Sequence, residues 1–345
     1  LGPLPAERLP RDAAARIVDA RQPGDTAPAG PDSIAAALPE YRELFAQFLD
    51  GEAAPKRAPV PQDLVKRAQN LKASAYFLDV TLAGTCRIEP EDWTAQDHAA
   101  HTHAFVFLIE FGRETRKGEA GDDWIRGANA ARTDLRCAEL AVVMAGYIRA
   151  LGWSARGHVA EHTQVSIARL AQRAGVAMAV SGVLKAPFLG RGFRLGAVTT
   201  DYELEPELPL ASLDWPSVEA YMGALGTRPG WTEAEENKRP LHLGRYEMEK
   251  IKRVDEPTTR VLRDEIKRMP KRADLFSRAL AGDLGEKPQQ ERRRFAVKHP
   301  LAFAMTPLIR NMVPLQGGRE PLAGSTLTDA KRNAEAIKAL GYYMG

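Results

Sequence analysis

His158-Val-Ala-Glu161-His162 spells H-x-x-E-H, the inverted form of the zinc-peptidase signature. That chemistry needs both imidazoles on one face of a helix, one turn apart, with the glutamate beside a metal-bound water. Here the motif follows SARGHV (154–159), which reads as a strand. Residues four apart in an extended chain are ~13 Å from each other, too far to share one ion. No acidic third ligand on a second helix is evident downstream, so the motif reads as polar residues at a strand end. A second cluster, His98-Ala-Ala-His101-Thr-His103, has a spacing that could suit a metal. It lacks a cysteine or a paired carboxylate and reads as a polar loop ahead of a strand. Cys86 in a strand and Cys137 in an apolar helix read as buried small hydrophobes, not nucleophiles. No catalytic residue and no metal ligand is assigned.

The chain has 345 residues, a formal net charge of +3, 44% apolar and 27% charged residues, which fits a soluble globular protein with a sizeable core. A charge this small gives no case for nucleic acid as a partner. The stretch 238–294 is more basic, but it mixes acids among its bases and reads as a solvated helical face. No apolar run reaches the ~20 residues that a membrane helix needs, and the N-terminus lacks the apolar core of a secretory signal. It begins with Leu1, so upstream residues are expected. Two cysteines exclude a disulfide scaffold and point to a reducing, cytoplasmic setting. They also cannot supply the four thiolates that a four-iron cluster usually takes.

The elements that must position these residues follow from periodicity and caps. Residues 1–32 read as an extended arm, with a short helix around 12–19. Ser33 is a candidate cap for a helix over 33–49, and 54–62 is a linker. Asp63 can cap the helix over 64–78. TLAGTCRI (81–88) is a strand, and HAFVFLIEF (103–111) is a continuous apolar run typical of a buried one. Residues 113–125 are loop-like. Thr133 or Asp134 could start a long helix that Gly152 closes. A helix over 166–175 and a strand over 193–201 follow. This alternation predicts a layered α/β domain over about 60–210. Beyond it, helices are expected over 213–226, 260–269 and 273–282, with 285–330 irregular.

A short internal repeat closes the chain. Residues 329–345 lie on residues 63–79 at a constant offset without a gap. Asp329 falls on Asp63, Ala334 on Ala68, Lys338 on Lys72, Ala339 on Ala73 and Tyr342 on Tyr76. Ile337 on Leu71, Tyr343 on Phe77 and Met344 on Leu78 are conservative. A second copy of the α/β block is therefore expected to begin at Asp329, and the chain to be one half of a longer polypeptide, since a helix followed by a truncated strand would leave an unpaired apolar edge.

Gly152-Trp-Ser-Ala-Arg156 and the segment 174–207, AGVAMAVSGVLKAPFLGRGFRLGAVTTDYELEPE, resemble the cobalamin-dependent reductive dehalogenases and the related epoxyqueuosine reductases. The matching positions are Ala174, Gly175, Gly182, Pro187, Gly190, Arg194, Val198, Thr200, Asp201 and Leu204. The resemblance implies an α/β (α+β) fold: a layered mixed sheet with flanking helices like the dehalogenase cobalamin-binding module, plus a mostly helical C-terminal extension. It divides the chain into an arm and helix (1–60), a degenerate module (61–210), an extension (211–328) and the start of a second copy (329–345). Family members lay cobalamin along the glycine-rich loop, here Gly175, Gly182, Pro187, Gly190 and Arg194, so these residues are the vestige of a cofactor loop.

Two departures matter. The family's Gly-Leu-Gly-Glu is Gly175-Val176-Ala177-Met178 here, and no cysteine follows Asp201. The family's catalytic tyrosine and its basic partner have no match. The resemblance thus implies the N-terminal structural half of a soluble catabolic reductive dehalogenase acting on haloaromatics such as halogenated phenols or benzoates. Cobalamin and two 4Fe-4S clusters would belong to the C-terminal half, with a redox donor protein or a fused reductase as electron source. The other reading is a stand-alone corrinoid- or flavin-binding protein without iron-sulfur clusters.

Overall fold

The structure is a computed structural model; it describes residues 9–24, 27–189, 192–212, 233–244, 251–252, 254–256, 258–260, 262, 270, 273–291, 298–317 and 329–345. Ser33 caps a short 3-10 turn, Ile34–Ala36, through the Ala35 amide, and α1 (Leu38–Ala46) starts afresh with Pro39 in its first turn. Asp63 accepts from the Val65 and Lys66 amides and opens α2 (Leu64–Phe77). Strands β1 (Leu82–Arg87) and β2 (His103–Glu110), the one-turn helix α3 (Asp122–Ile125), the long helix α4 (Asn129–Ala150) and strand β3 (Ala155–His158) follow. Ser166 caps α5 (Ile167–Arg173) through the Arg169 amide. Then come a small hairpin, β4 (Met178–Val180) and β5 (Val183–Lys185), and strand β6 (Phe193–Thr200).

The sheet order is β1-β2-β6-β3, and every pairing is antiparallel. The class is the expected layered sheet with flanking helices; the expected mixed pairing is not found. The reason is the crossover β2-α4-β3. Its two strands run the same way but leave a gap between them, and β6 fills the gap antiparallel to both.

The strands are buried on both faces, so alternate residues feed two cores. Phe105, Phe107 and Ile109 of β2 pack with Leu71 and Ala75 of α2 and with the apolar face of α4. Ala104, Val106 and Leu108 pack with Leu195 and Ala197 of β6 and with Leu170 and Ala171 of α5. Gly196 pairs with Phe107 across the ladder, and the Phe107 ring fills the space that a Cβ at Gly196 would take.

Several expectations need correction. Residues 12–19 form no helix: a turn at 13–14 leads into irregular chain, with a bridge at Arg11 to Leu210 before it and another at Arg21 to Val183 after it. Helix α4 begins at Asn129, before Thr133, because its start is set by the left-handed turn at Gly127 and not by a capping side chain. Among the described residues, 286–291 and 300–317 are not irregular. They form α8 (Glu286–Glu291), α9 (Pro300–Ala304), α10 (Thr306–Met312) and a 3-10 turn, Val313–Gly317. Pro300 and Pro307 sit in first helical turns, where a missing amide costs nothing. The helix expected over 273–282 is α7 (Leu275–Ala281), ended by Gly282; α6 is Glu233–Lys238 and α11 is Ala330–Met344. The helices expected over 213–226 and 260–269 lie outside the described residues, apart from single positions.

One buried carboxylate joins the β1-β2 connection to α5. Asp92 has a fully buried side chain, accepts from Arg169 Nε at 3.2 Å and Arg173 Nε at 2.7 Å, and takes the Glu89 amide at 2.9 Å. Both arginines also face Glu91, Arg173 at 2.6 Å and Arg169 at 3.6 Å, so losing the Asp92 carboxylate does not leave them without a partner. Asp92→Ala is expected to cost about 2–3 kcal/mol, below the usual range for orphaning a fully buried ion. Urea unfolding by circular dichroism measures it, and a loss under 0.5 kcal/mol would show that the cluster is peripheral.

Candidate functional site

The glycine-loop residues are placed by α5, the hairpin and β6. Gly175 follows the end of α5 at φ +61°. Ser181 (φ +50°) and Gly182 (φ +76°) form the two-residue turn between β4 and β5, a left-handed pair matched to hairpin twist. Pro187 is buried, and Gly190 lies outside the described residues. The space a flat ligand would need at Gly175 is taken by the chain itself. Arg11 Nη1 donates to the Gly175 carbonyl at 2.8 Å and to the Leu208 carbonyl at 3.1 Å, and the guanidinium stands where a Cβ at Gly175 would lie. The arm then pairs with the hairpin: the Arg21 amide donates to Gly182 O and the Leu184 amide to Arg21 O. Arg194 is held by Asp134 at 3.2 Å and by the Pro23 carbonyl, with its guanidinium 5.0 Å over the Phe111 ring. Residues that could cradle a corrinoid therefore grip the N-terminal arm. They do not fit cobalamin in this arrangement.

The histidines gather differently from any metal site. His158 ends β3 and its ring is buried. The Gln164 amide donates to His158 Nδ1, which fixes the neutral tautomer with the proton on Nε2. Nε2 then donates to Thr199 Oγ1 at 2.8 Å. The Thr199 hydroxyl can donate onward to His101 Nδ1 at 2.8 Å, and His101 Nε2 to Ser154 Oγ at 2.8 Å. Two neutral imidazoles, a threonine and a serine thus form one directional chain across the end of the sheet. Sequence reading singled out both histidines but not Thr199, their bridge; its only signal is the Thr199-Thr200 pair ending an otherwise apolar strand.

The other members of the two motifs point elsewhere. Residues 159–162 form a tight turn with Glu161 at φ +70°, not a continued strand. That turn sends Glu161 to Arg42 and His162 Nε2 to Glu43 at 2.7 Å, away from His158. His98 stacks on Trp93 with ring centroids 3.8 Å apart, and His103 Nδ1 meets Thr102 Oγ1 at 2.9 Å. Among the described residues, no three His, Cys, Asp or Glu side chains converge as a metal site would require. Cys86 and Cys137 are buried, and burial pushes both thiols above their ordinary range, the opposite of a reactive thiolate. No described helix is long and apolar enough to cross a membrane.

Burial, helped by the nearby Arg156 and His101 and opposed by Asp50, pulls the His158 pKa down to about 3. Desolvation also lowers His101 and His103. An unfolded histidine takes its proton near 6.5, so stability is complete above that pH and falls as pH drops toward the folded value. His158 alone should remove about 2 kcal/mol between pH 7 and pH 5. Urea unfolding at the two pH values measures this, and His158→Gln is expected to shrink the difference; an unchanged difference would remove His158 as its source.

No protein-family model matches the chain, and neither does any curated protein. Solved structures do. A reductive dehalogenase, described with a mechanism for B12-dependent dehalogenation, is 57% identical over 100% of this chain, with a TM-score of 0.92. The catabolic reductive dehalogenase NpRdhA, in complex with 3-bromo-4-hydroxybenzoic acid, matches at 57% identity and a TM-score of 0.91. Epoxyqueuosine reductase aligns over 43% of this chain at 13% identity and a TM-score of 0.33, which supports nothing further. The chain spans about half the length of the dehalogenase structures, 50% in both cases. Over its whole length and at 57% identity, this chain is similar to reductive dehalogenases, and it spans half of those it matches.

Proposed function

We propose that this chain is the non-catalytic N-terminal half of a cobalamin-dependent reductive dehalogenase that removes halide from halogenated aromatics. The observation that carries the reading is the dehalogenase match over all of this chain and half of the matched structures. The chemistry of this half agrees. Its two thiols are buried within the module and too few for a four-iron cluster. Its cofactor-loop residues are engaged by Arg11, Asp134 and the arm. Cobalamin and two 4Fe-4S clusters would then belong to the other half, fed by a redox donor protein or a fused reductase in the cytoplasm. Residues 61–210 would be a duplicated module that has exchanged its ligand for its own arm, and 329–345 the opening of the working copy. The substrate class follows the bromohydroxybenzoate bound by the matched NpRdhA.

The test separates this from a stand-alone corrinoid- or flavin-binding protein. This chain alone, refolded with excess cobalamin or flavin and desalted, is expected to retain neither. The longest native polypeptide that carries it is expected to hold cobalt and iron in stoichiometric amounts and to release bromide from 3-bromo-4-hydroxybenzoate under reducing conditions. Stoichiometric retention of either cofactor by this chain would overturn the assignment.

A further inference from the structure

Helices α2 and α11 share a pattern, yet they bury opposite faces. Both are capped by aspartate in the same way: Asp63 accepts from the Val65 amide, and Asp329 from the Lys331 amide. In α2 the buried side is Ala68, Leu71, Lys72 and Ala75, which faces β1, while Asn70, Ala73 and Phe77 are exposed. The offset that relates the repeats turns these into Ala334, Ile337, Lys338 and Gly341 on one side and Ala336, Ala339 and Tyr343 on the other. In α11 the first four are exposed, Ile337 by 64%, and the last three are buried.

The buried side of α11 has a purpose-built seat. The Tyr343 hydroxyl donates to Asn129 Oδ1 at 2.9 Å, its ring lies against Gly112, and the Arg132 guanidinium sits 5.0 Å over it. Gly121, at φ +82°, leaves room for the Ala339 methyl. The opposite side carries exposed Ala334, Ile337, Lys338 and Gly341, where the side of α2 that packs on its sheet carries Ala68, Leu71, Lys72 and Ala75. A helix apolar on both sides is a buried helix.

We infer that α11 is a bridge between two modules: its Ala336-Ala339-Tyr343 side holds this module, and its Ala334-Ile337-Gly341 side docks on the sheet of a second copy, against a first strand built like Leu82–Arg87. The matched dehalogenases have the length for such a copy, since this chain covers half of them. The inference rests on the half-enzyme reading and adds the surface that joins the halves.

Single-cysteine labelling tests it, because native Cys86 and Cys137 are buried and give little background in this chain. Ile337→Cys and Lys331→Cys would be labelled with a maleimide, in this chain alone and in the longest native polypeptide that carries it, and read at each position by peptide mass spectrometry. In this chain both are expected to react fast. In the longer polypeptide Ile337→Cys should slow by about 100-fold while Lys331→Cys, whose counterpart Val65 is exposed in α2, stays fast. As a second variant, Ile337→Arg should leave the melting temperature of this chain unchanged and lower that of the longer polypeptide. Equal reactivity at the two positions in the longer polypeptide would overturn the bridge, as would concentration-dependent protection of Ile337→Cys in this chain alone, which would mean a homodimer. Bromide release, measured on the same samples, reports separately on the half-enzyme reading: protection without dehalogenation sinks that reading and spares the bridge, and dehalogenation without protection does the reverse.

Discussion

Strands β2 and β6 are buried on both faces, and that constraint arranges almost everything else. Seven of the eight residues of β2, from His103 to Ile109, are buried. A strand so enclosed has no solvated face on which to place polar side chains, so they collect at its ends and along the sheet edges. At one end His101, His158, Thr199 and Ser154 complete one another's hydrogen bonds. At the β1 edge, Glu207 exchanges backbone hydrogen bonds with Thr85 through its amide and carboxylate, and Lys72 of α2 meets the same carboxylate at 2.5 Å. At the β3 edge, Gly157 donates to the Leu49 carbonyl and Arg149 caps Phe48, Leu49 and Ala155. Covered edges leave no open ladder for another chain to extend.

The parts of this design that depend on local sequence were legible. The apolar run 103–111 marked the central strand because burial on both faces requires it. Asp63 marked a helix start because its side chain satisfies amides within the same turn, and Ser33 marked the 3-10 turn ahead of α1 in the same way. Gly152 and Gly175 marked helix ends for the corresponding backbone reason. What escaped depends on partners distant in sequence. The arm over 12–19 has helix-forming residues, but its backbone is claimed by the Pro209 carbonyl at Asp12 and by the Gln172 side chain at Val18. The helix that opens at Pro300 looked irregular because its cap, His299 accepting from the Leu301 amide, is weak as a pattern, and the helix that holds Pro307 has no side-chain cap at all. The sheet-end hydrogen-bond chain joins three separate segments and could not be read from any one of them.

The glycine-loop residues are held by the chain itself. Gly175 keeps the left-handed backbone that a close approach requires, yet the approaching group is Arg11. Arg194 on β6 pairs with Asp134, whose burial pushes its carboxyl above the usual range despite that partner. Met178, at the position of the family's acid, lies in β4 and packs with the α5 side of the sheet. Each residue has a complete structural role inside the module, so a match of residue types at these positions carries information about ancestry and shape. It does not by itself carry information about a bound group.

The same separation holds for the repeated helix. Periodicity states that α2 and α11 are amphipathic, but it does not say which flank meets the protein, because both carry small and apolar residues on two flanks. Environment decides: Leu71 is 1% exposed and Ile337 is 64% exposed, although each follows its capping aspartate by the same interval. A lone surface helix would gain solubility from a polar residue at Ile337 and would lose no contact with this module by having one. An apolar residue there, at the position that α2 uses to reach its sheet, is accounted for by an environment in which that flank is not solvent.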